Sequence, residues 1–78
     1  MKICVVCECG WILFGTLVIK GVKGFVSLTD ASVVRSWHNG RGIGGIAKKE
    51  HRNEYTLDYI GNVDIYVNKV LFTIPCEE

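Results

Sequence analysis

The sequence predicts an α+β fold that is mostly β, a small antiparallel sheet or partly open barrel of five to six strands with one or two short helices inserted after the third strand. Three observations carry that expectation. β-Branched and aromatic residues dominate both ends of the chain. Turn signals built on glycine and asparagine separate them at short intervals. In the middle the apolar spacing changes from strand-like to helix-like. An order of strands, short helix and strands implies hairpin connections and an antiparallel sheet.

Each element follows from local chemistry. Lys2 to Glu8 reads as the first strand and Trp11 to Lys20 as the second, with Cys9-Gly10 as the turn between them. Gly21-Val22-Lys23-Gly24 makes the next turn, and Phe25 to Leu28 a short third strand. Asp30 is a good helix N-cap, and Val33, Val34 and Trp37 then share one helical face up to the stop at Asn39-Gly40, which predicts a short helix. Ile43, Ile46 and Ala47 fit a further turn or two between Gly42 and Lys49, although Gly44 and Gly45 each cost a helix interior about 1 kcal/mol. Residues 55–60, 62–67 and 69–74 return to β composition, with turns at Gly61-Asn62 and Asn68-Lys69 and with Pro75 closing the last strand.

The 78 residues suit a single domain. A chain this short buries only about 60 to 65% of its unfolded surface. With 49% hydrophobic residues it holds more apolar surface than one small core absorbs, which predicts a homo-oligomer. A net charge of +1 with abundant Val, Ile and aromatic residues excludes disorder. The longest uncharged run, Cys9 to Ile19, is far short of the about 20 residues that cross a bilayer, so no membrane partner is expected. Glu8 interrupts the early apolar stretch and no small-x-small cleavage site follows it, which argues against a signal peptide. Cys4, Cys7, Cys9 and Cys76 are expected to be free thiols, with no metal and no cofactor. On a strand, Cys4 and Cys7 point to opposite faces while Cys7 and Cys9 converge, and no second Cys or His pair completes a tetrahedral set.

Candidate chemistry concentrates between Arg35 and Arg52. This stretch holds Arg35, Arg41, Lys48, Lys49 and Arg52 together with His38 and His51, against one acid, Glu50. The candidate ligand-binding residues are Arg35, Trp37, His38, Asn39, Gly40, Arg41, Gly42, Gly44 and Lys48. Glycines let backbone N–H groups approach an anion, arginine donates bidentate bonds to phosphate, and tryptophan offers a stacking face to a base. No Lys-Ser/Thr follows the glycines and no G-x-G-x-x-G follows a strand, so neither familiar phosphate loop is present. Competing readings stand beside these: Trp37 as a core residue, Arg35 and Arg41 as ion-pair partners of Asp30, Asp58 or Asp64, the histidines as solvated loop residues, and two of the glycines as ordinary turn residues. Ser27, Ser32 and Ser36 lie in no nucleophile-elbow context and no carboxylate pair is placed for acid–base work, so an enzyme is not expected.

The run from Thr29 to Ala47, with Thr29-Asp30-Ala31-Ser32-Val33-Val34-Arg35, then Trp37, then Arg41-Gly42-Ile43-Gly44, resembles a motif of a family of short proteins from tailed phages and prophages. That family carries T-D-A-S-V-I-R-x-W-x-x-x-R-G-L-G-x-x-A, begins with a strand and a Gly-Trp like Gly10-Trp11, and ends on a strand with a Cys or acidic tail like Cys76-Glu77-Glu78. The cysteine-rich first strand and Gly45, where a larger residue is common, depart from it. The resemblance implies a phage-encoded accessory protein in the bacterial cytoplasm, and assigns no catalytic or binding residue. Together the two lines lead to a non-enzymatic protein that binds a small anionic ligand, a nucleotide second messenger of host defence, in pockets shared between copies. A nucleic-acid-binding module is the second expectation, and a protein-interaction role the third.

Overall fold

A computed structural model describes all 78 residues. Five strands, β1 (Lys2–Cys7), β2 (Ile12–Leu17), β3 (Phe25–Trp37), β4 (Tyr55–Tyr66) and β5 (Val70–Cys76), form one open antiparallel sheet in the order β4-β3-β2-β1-β5. Short 3₁₀ turns lie at Glu8–Gly10, Ile43–Ala47, Lys49–Glu54 and Val67–Lys69. The mostly-β fold therefore stands, with two of its four helical turns inserted after the third strand and the others after β1 and β4.

Three local expectations are corrected. Residues 30–37 are not a helix. They continue β3, because Val33 and Val34 pack on opposite faces of the sheet and both faces are covered, so the pattern is apolar without alternation. Asp30 is not an N-cap; it takes a left-handed φ of 50° inside β3, and the pairing with β4 shifts between Leu28 and Ala31. Gly61, opposite Ala31 with φ 86°, is likewise a bend within β4 rather than a turn between two strands. Pro75 does not close the last strand but sits within it, opposite Ile3, where its missing N–H costs nothing because β5 is an edge strand.

Gly15 explains how the sheet bends here. A Cβ at that position would lie 3.0 Å from the Ala31 backbone and 3.1 Å from the Thr29 carbonyl. Only glycine lets β2 and β3 approach this closely beside the irregularity.

The two faces bury separate cores. One gathers Ile3, Val5, Leu13, Leu28, Val33 and Ile65. Ile65 belongs to β4 and Ile3 to β1, with two strands between them in the sheet, so the long β3–β4 hairpin must curl over that face for them to share a cluster. The other face gathers Cys4, Phe14, Val34 and Tyr55 under Ile46, which is fully buried. Ile46 anchors the 43–54 segment as a cover, and its burial contributes about 1.5–3 kcal/mol. The chain's C-terminal end ties that cover down: Glu77 N–H donates to the Ala47 carbonyl at 2.9 Å, and Arg52 donates to the Glu77 carbonyl at 2.8 Å while stacking 4.6 Å over the Phe14 ring.

Candidate functional site

The predicted site is centred on the loop that leaves β3. Trp37 is half-buried and stacks at a tilt on Tyr55, ring centroids 5.8 Å apart, so its indole belongs largely to the covered core. Tyr55 is buried, and its hydroxyl donates to the Gly42 carbonyl. That bond pins the glycine loop onto the sheet. Gly45 is a packing requirement, since a Cβ there would collide with the Tyr55 hydroxyl and lie 2.7 Å from Arg41 Cβ.

Above this platform, Asn39, Arg41 and Glu54 form one exposed cluster. Arg41 Nε and Asn39 Nδ2 both donate to Glu54 Oε1, at 3.0 and 2.9 Å, and the Arg41 N–H donates to Asn39 Oδ1 at 3.0 Å. These donors, Arg41 first and then Asn39, hold the Glu54 carboxyl below its ordinary range. Gly40 and Gly42 take φ 73° and 67°, conformations that side chains rarely adopt. Gly40, Gly42 and Gly44 all have open space where a Cβ would be.

The other predicted residues are dispersed. Arg35 donates from Nε and Nη2 to Asp58 Oδ2, at 3.3 and 2.8 Å, one of the three carboxylates expected as partners. Asp58 pairs with Val33 in the first core, whereas Trp37 and Tyr55 belong to the second, so Arg35 engages the opposite side of the sheet from the Arg41 cluster. Lys48 lies 3.8 Å from Glu77, and His38 is exposed. The structure thus brings together Trp37, Asn39, Arg41 and the glycines, and leaves Arg35 and Lys48 elsewhere. Arg41's partner is Glu54, a residue the sequence reading passed over because the strand that follows hides its closeness to the loop.

A second feature was not read from the sequence. A cleft of about 350 Å³ opens on the side of the first core, floored by Leu13 and Ile65 and flanked by Trp11 and Tyr66. Gly10-Trp11 was its one legible signal, a tryptophan beside a turn. Cys4 and Cys7 follow the alternation argument, one in each core, whereas Cys9 lies off the strand, exposed in the Glu8–Gly10 turn. All four are free. Burial, helped by the nearby Cys76 and Cys7 sulfurs, pushes the Cys4 thiol up to about 12, so it remains an inert neutral packing group. No helix is long and apolar enough to cross a membrane, and no three His, Cys, Asp or Glu side chains gather as a metal site.

No family model, curated protein or solved structure matches the chain.

Proposed function

We propose that the protein is a non-catalytic binding protein that assembles with itself and holds a small anionic ligand on the 38–44 loop; in the phage setting implied by its central motif, the ligand is a nucleotide second messenger of host defence, which it sequesters. The observation that carries this reading is the state of Arg41. Glu54 takes only its Nε–H, which leaves four terminal guanidinium donors for another oxygen-rich group. An exposed ion pair of this kind is worth only about 0–1 kcal/mol, so giving up or sharing Glu54 costs an incoming phosphate little. A phosphate group therefore competes well for this arginine. The open positions at Gly40, Gly42 and Gly44 give it room to approach the backbone.

Self-assembly is supported by what the outer strands leave exposed. Leu57, Tyr59 and Ile60 on β4, and Leu71 and Phe72 on β5, are large apolar side chains on the two edges of the sheet. Unpaired edges carrying apolar side chains are templates for pairing with another chain. The same side chains favour the protein-interaction reading, in which a host or phage protein covers them.

The test is calorimetric titration of the protein, and of Arg41→Ala, with linear and cyclic nucleotides beside a DNA duplex and a single strand, with light scattering in parallel. Arg41→Ala is expected to weaken nucleotide binding roughly ten- to a hundredfold with little change in melting temperature. Unchanged affinity sinks the loop as a site. Binding of the nucleic acids alone moves the reading to a nucleic-acid module, and binding of none moves it to protein interaction. A monodisperse mass near 8.7 kDa at micromolar concentration removes the oligomer.

A further inference from the structure

The cleft beside Trp11 carries an inference of its own, because none of its residues belongs to the 38–44 loop. Trp11 and Tyr66 are 54% and 63% exposed, large values for aromatic side chains that stand over an apolar floor of Leu13 and Ile65. Tyr66 packs at 4.9 Å against the Phe25 ring, and Trp11 follows two consecutive left-handed residues, Cys9 at φ 62° and Gly10 at φ 81°. A left-handed non-glycine residue is a strained conformation, and such strain persists where the surrounding structure demands it. Here it turns the chain sharply between β1 and β2 and carries Trp11 to the mouth of the cleft.

Charge is present only at the rim, where Lys69 Nζ lies 3.5 Å from Glu8 Oε2 and both side chains are at least half exposed. Lys69 is the one cation lining the cleft, and its exposed carboxylate partner is readily exchanged for another anion. The volume of about 350 Å³ lies at the small end of ligand sites, enough for one or two fused rings.

We propose that this cleft is a binding site for a planar aromatic ring bearing an anionic group, with the ring against Trp11 and Tyr66 and the anion on Lys69 Nζ in place of Glu8. Mononucleotides and aromatic carboxylates share that chemistry. The ring supplies stacking area to the two aromatic faces and covers Leu13 and Ile65, and the charge at its edge sets its orientation.

The experiment reads Trp11 fluorescence in a Trp37→Phe background, where Trp11 is the only tryptophan, and follows the Trp11 indole N–H by NMR in the parent protein so that a poorly folded variant does not decide the matter. The probes are adenosine monophosphate, adenosine and indole acetate. Saturable quenching and an indole N–H shift with at least one anionic probe are expected, AMP and indole acetate separating the two sources. Lys69→Ala should weaken the anionic probe about five- to tenfold and leave adenosine unchanged, and Tyr66→Ala should weaken every probe that binds by about tenfold. Arg41→Ala should leave all of these signals unaltered, which keeps the cleft distinct from the loop. No saturable response to any probe overturns the proposal. So does a response that survives Tyr66→Ala and Lys69→Ala, or one abolished by Arg41→Ala.

Discussion

Arg41 and Asn39 converge on a single carboxylate oxygen of Glu54, at 3.0 and 2.9 Å, and so the loop's cation is held by an acid from the far end of the 43–54 segment. This pairing restrains Arg41 and also competes with any anionic ligand. Glu54→Gln keeps a carbonyl acceptor for both donors but removes the charge. It is expected to raise nucleotide affinity about threefold, about 0.7 kcal/mol, in calorimetric titration. A fall in affinity would show that Glu54 positions Arg41 more than it competes.

Gly44 and Gly45 are adjacent yet make opposite demands. Gly44 has open space at its Cβ position, whereas Gly45 has the Tyr55 hydroxyl and Arg41 Cβ there. Gly44→Ala is expected to be neutral or to stabilise by up to about 0.5–1 kcal/mol through the unfolded chain. Gly45→Ala should cost about 1–3 kcal/mol because packed groups must shift. Urea denaturation of the two variants checks the contrast, and equal stabilities would contradict the described packing of Tyr55.

Trp37→Ala removes a half-buried ring that stacks on Tyr55. Full burial would make the loss about 3–5 kcal/mol; for a ring partly open to solvent about 2 kcal/mol is expected. Denaturant unfolding measures it. A loss of nucleotide binding with unchanged stability would instead make Trp37 a ligand-stacking residue.

The pH profile follows from the shifted groups. Glu54, Glu77 and Glu78 are all held below the ordinary value of 4.5, chiefly by bonds donated from Arg41, the Lys49 N–H and the Lys2 N–H respectively. A depressed folded-state pKa means that the unfolded chain takes up protons first. Their contribution is therefore complete above 4.5 and is lost as pH falls through the lower folded values. Cys4 works in the opposite direction: with a folded value of about 12 against 9.0, its contribution is present below 9 and declines as pH rises from 9 towards 12. Thermal melts from pH 3 to 11 should show a plateau with a fall at both ends. Glu54→Gln should flatten part of the acid limb, and Cys4→Ser or Cys4→Ala part of the alkaline one.

Much of the fold was legible because strand composition is a local property. The strands over Lys2–Cys7, Ile12–Leu17 and Val70–Cys76 lie close to where β-branched and aromatic residues cluster, and the opposite faces of Cys4 and Cys7 follow from the two-residue period alone. Of the candidate site, the Arg35–Asp58 pair was one of the named possibilities and the glycine-rich exposed loop was recognisable.

Other features needed the tertiary structure. Asp30 before Val33, Val34 and Trp37 satisfies a helical pattern, but a strand covered on both faces produces the same spacing, and only the curl of β4 over one side and the Ile46 cover on the other distinguish the two. The cleft between Trp11 and Tyr66 joins side chains distant in sequence, and the partnership of Arg41 with Glu54 depends on how the 43–54 segment is folded back by Ile46 and Glu77. The sequence alone determined a small, strand-rich chain with an excess of apolar side chains and one basic, glycine-rich segment. Tertiary packing decided which cations meet acids, which aromatics remain open and which glycines are indispensable, because each depends on close approach between distant segments rather than on the preferences of neighbouring residues.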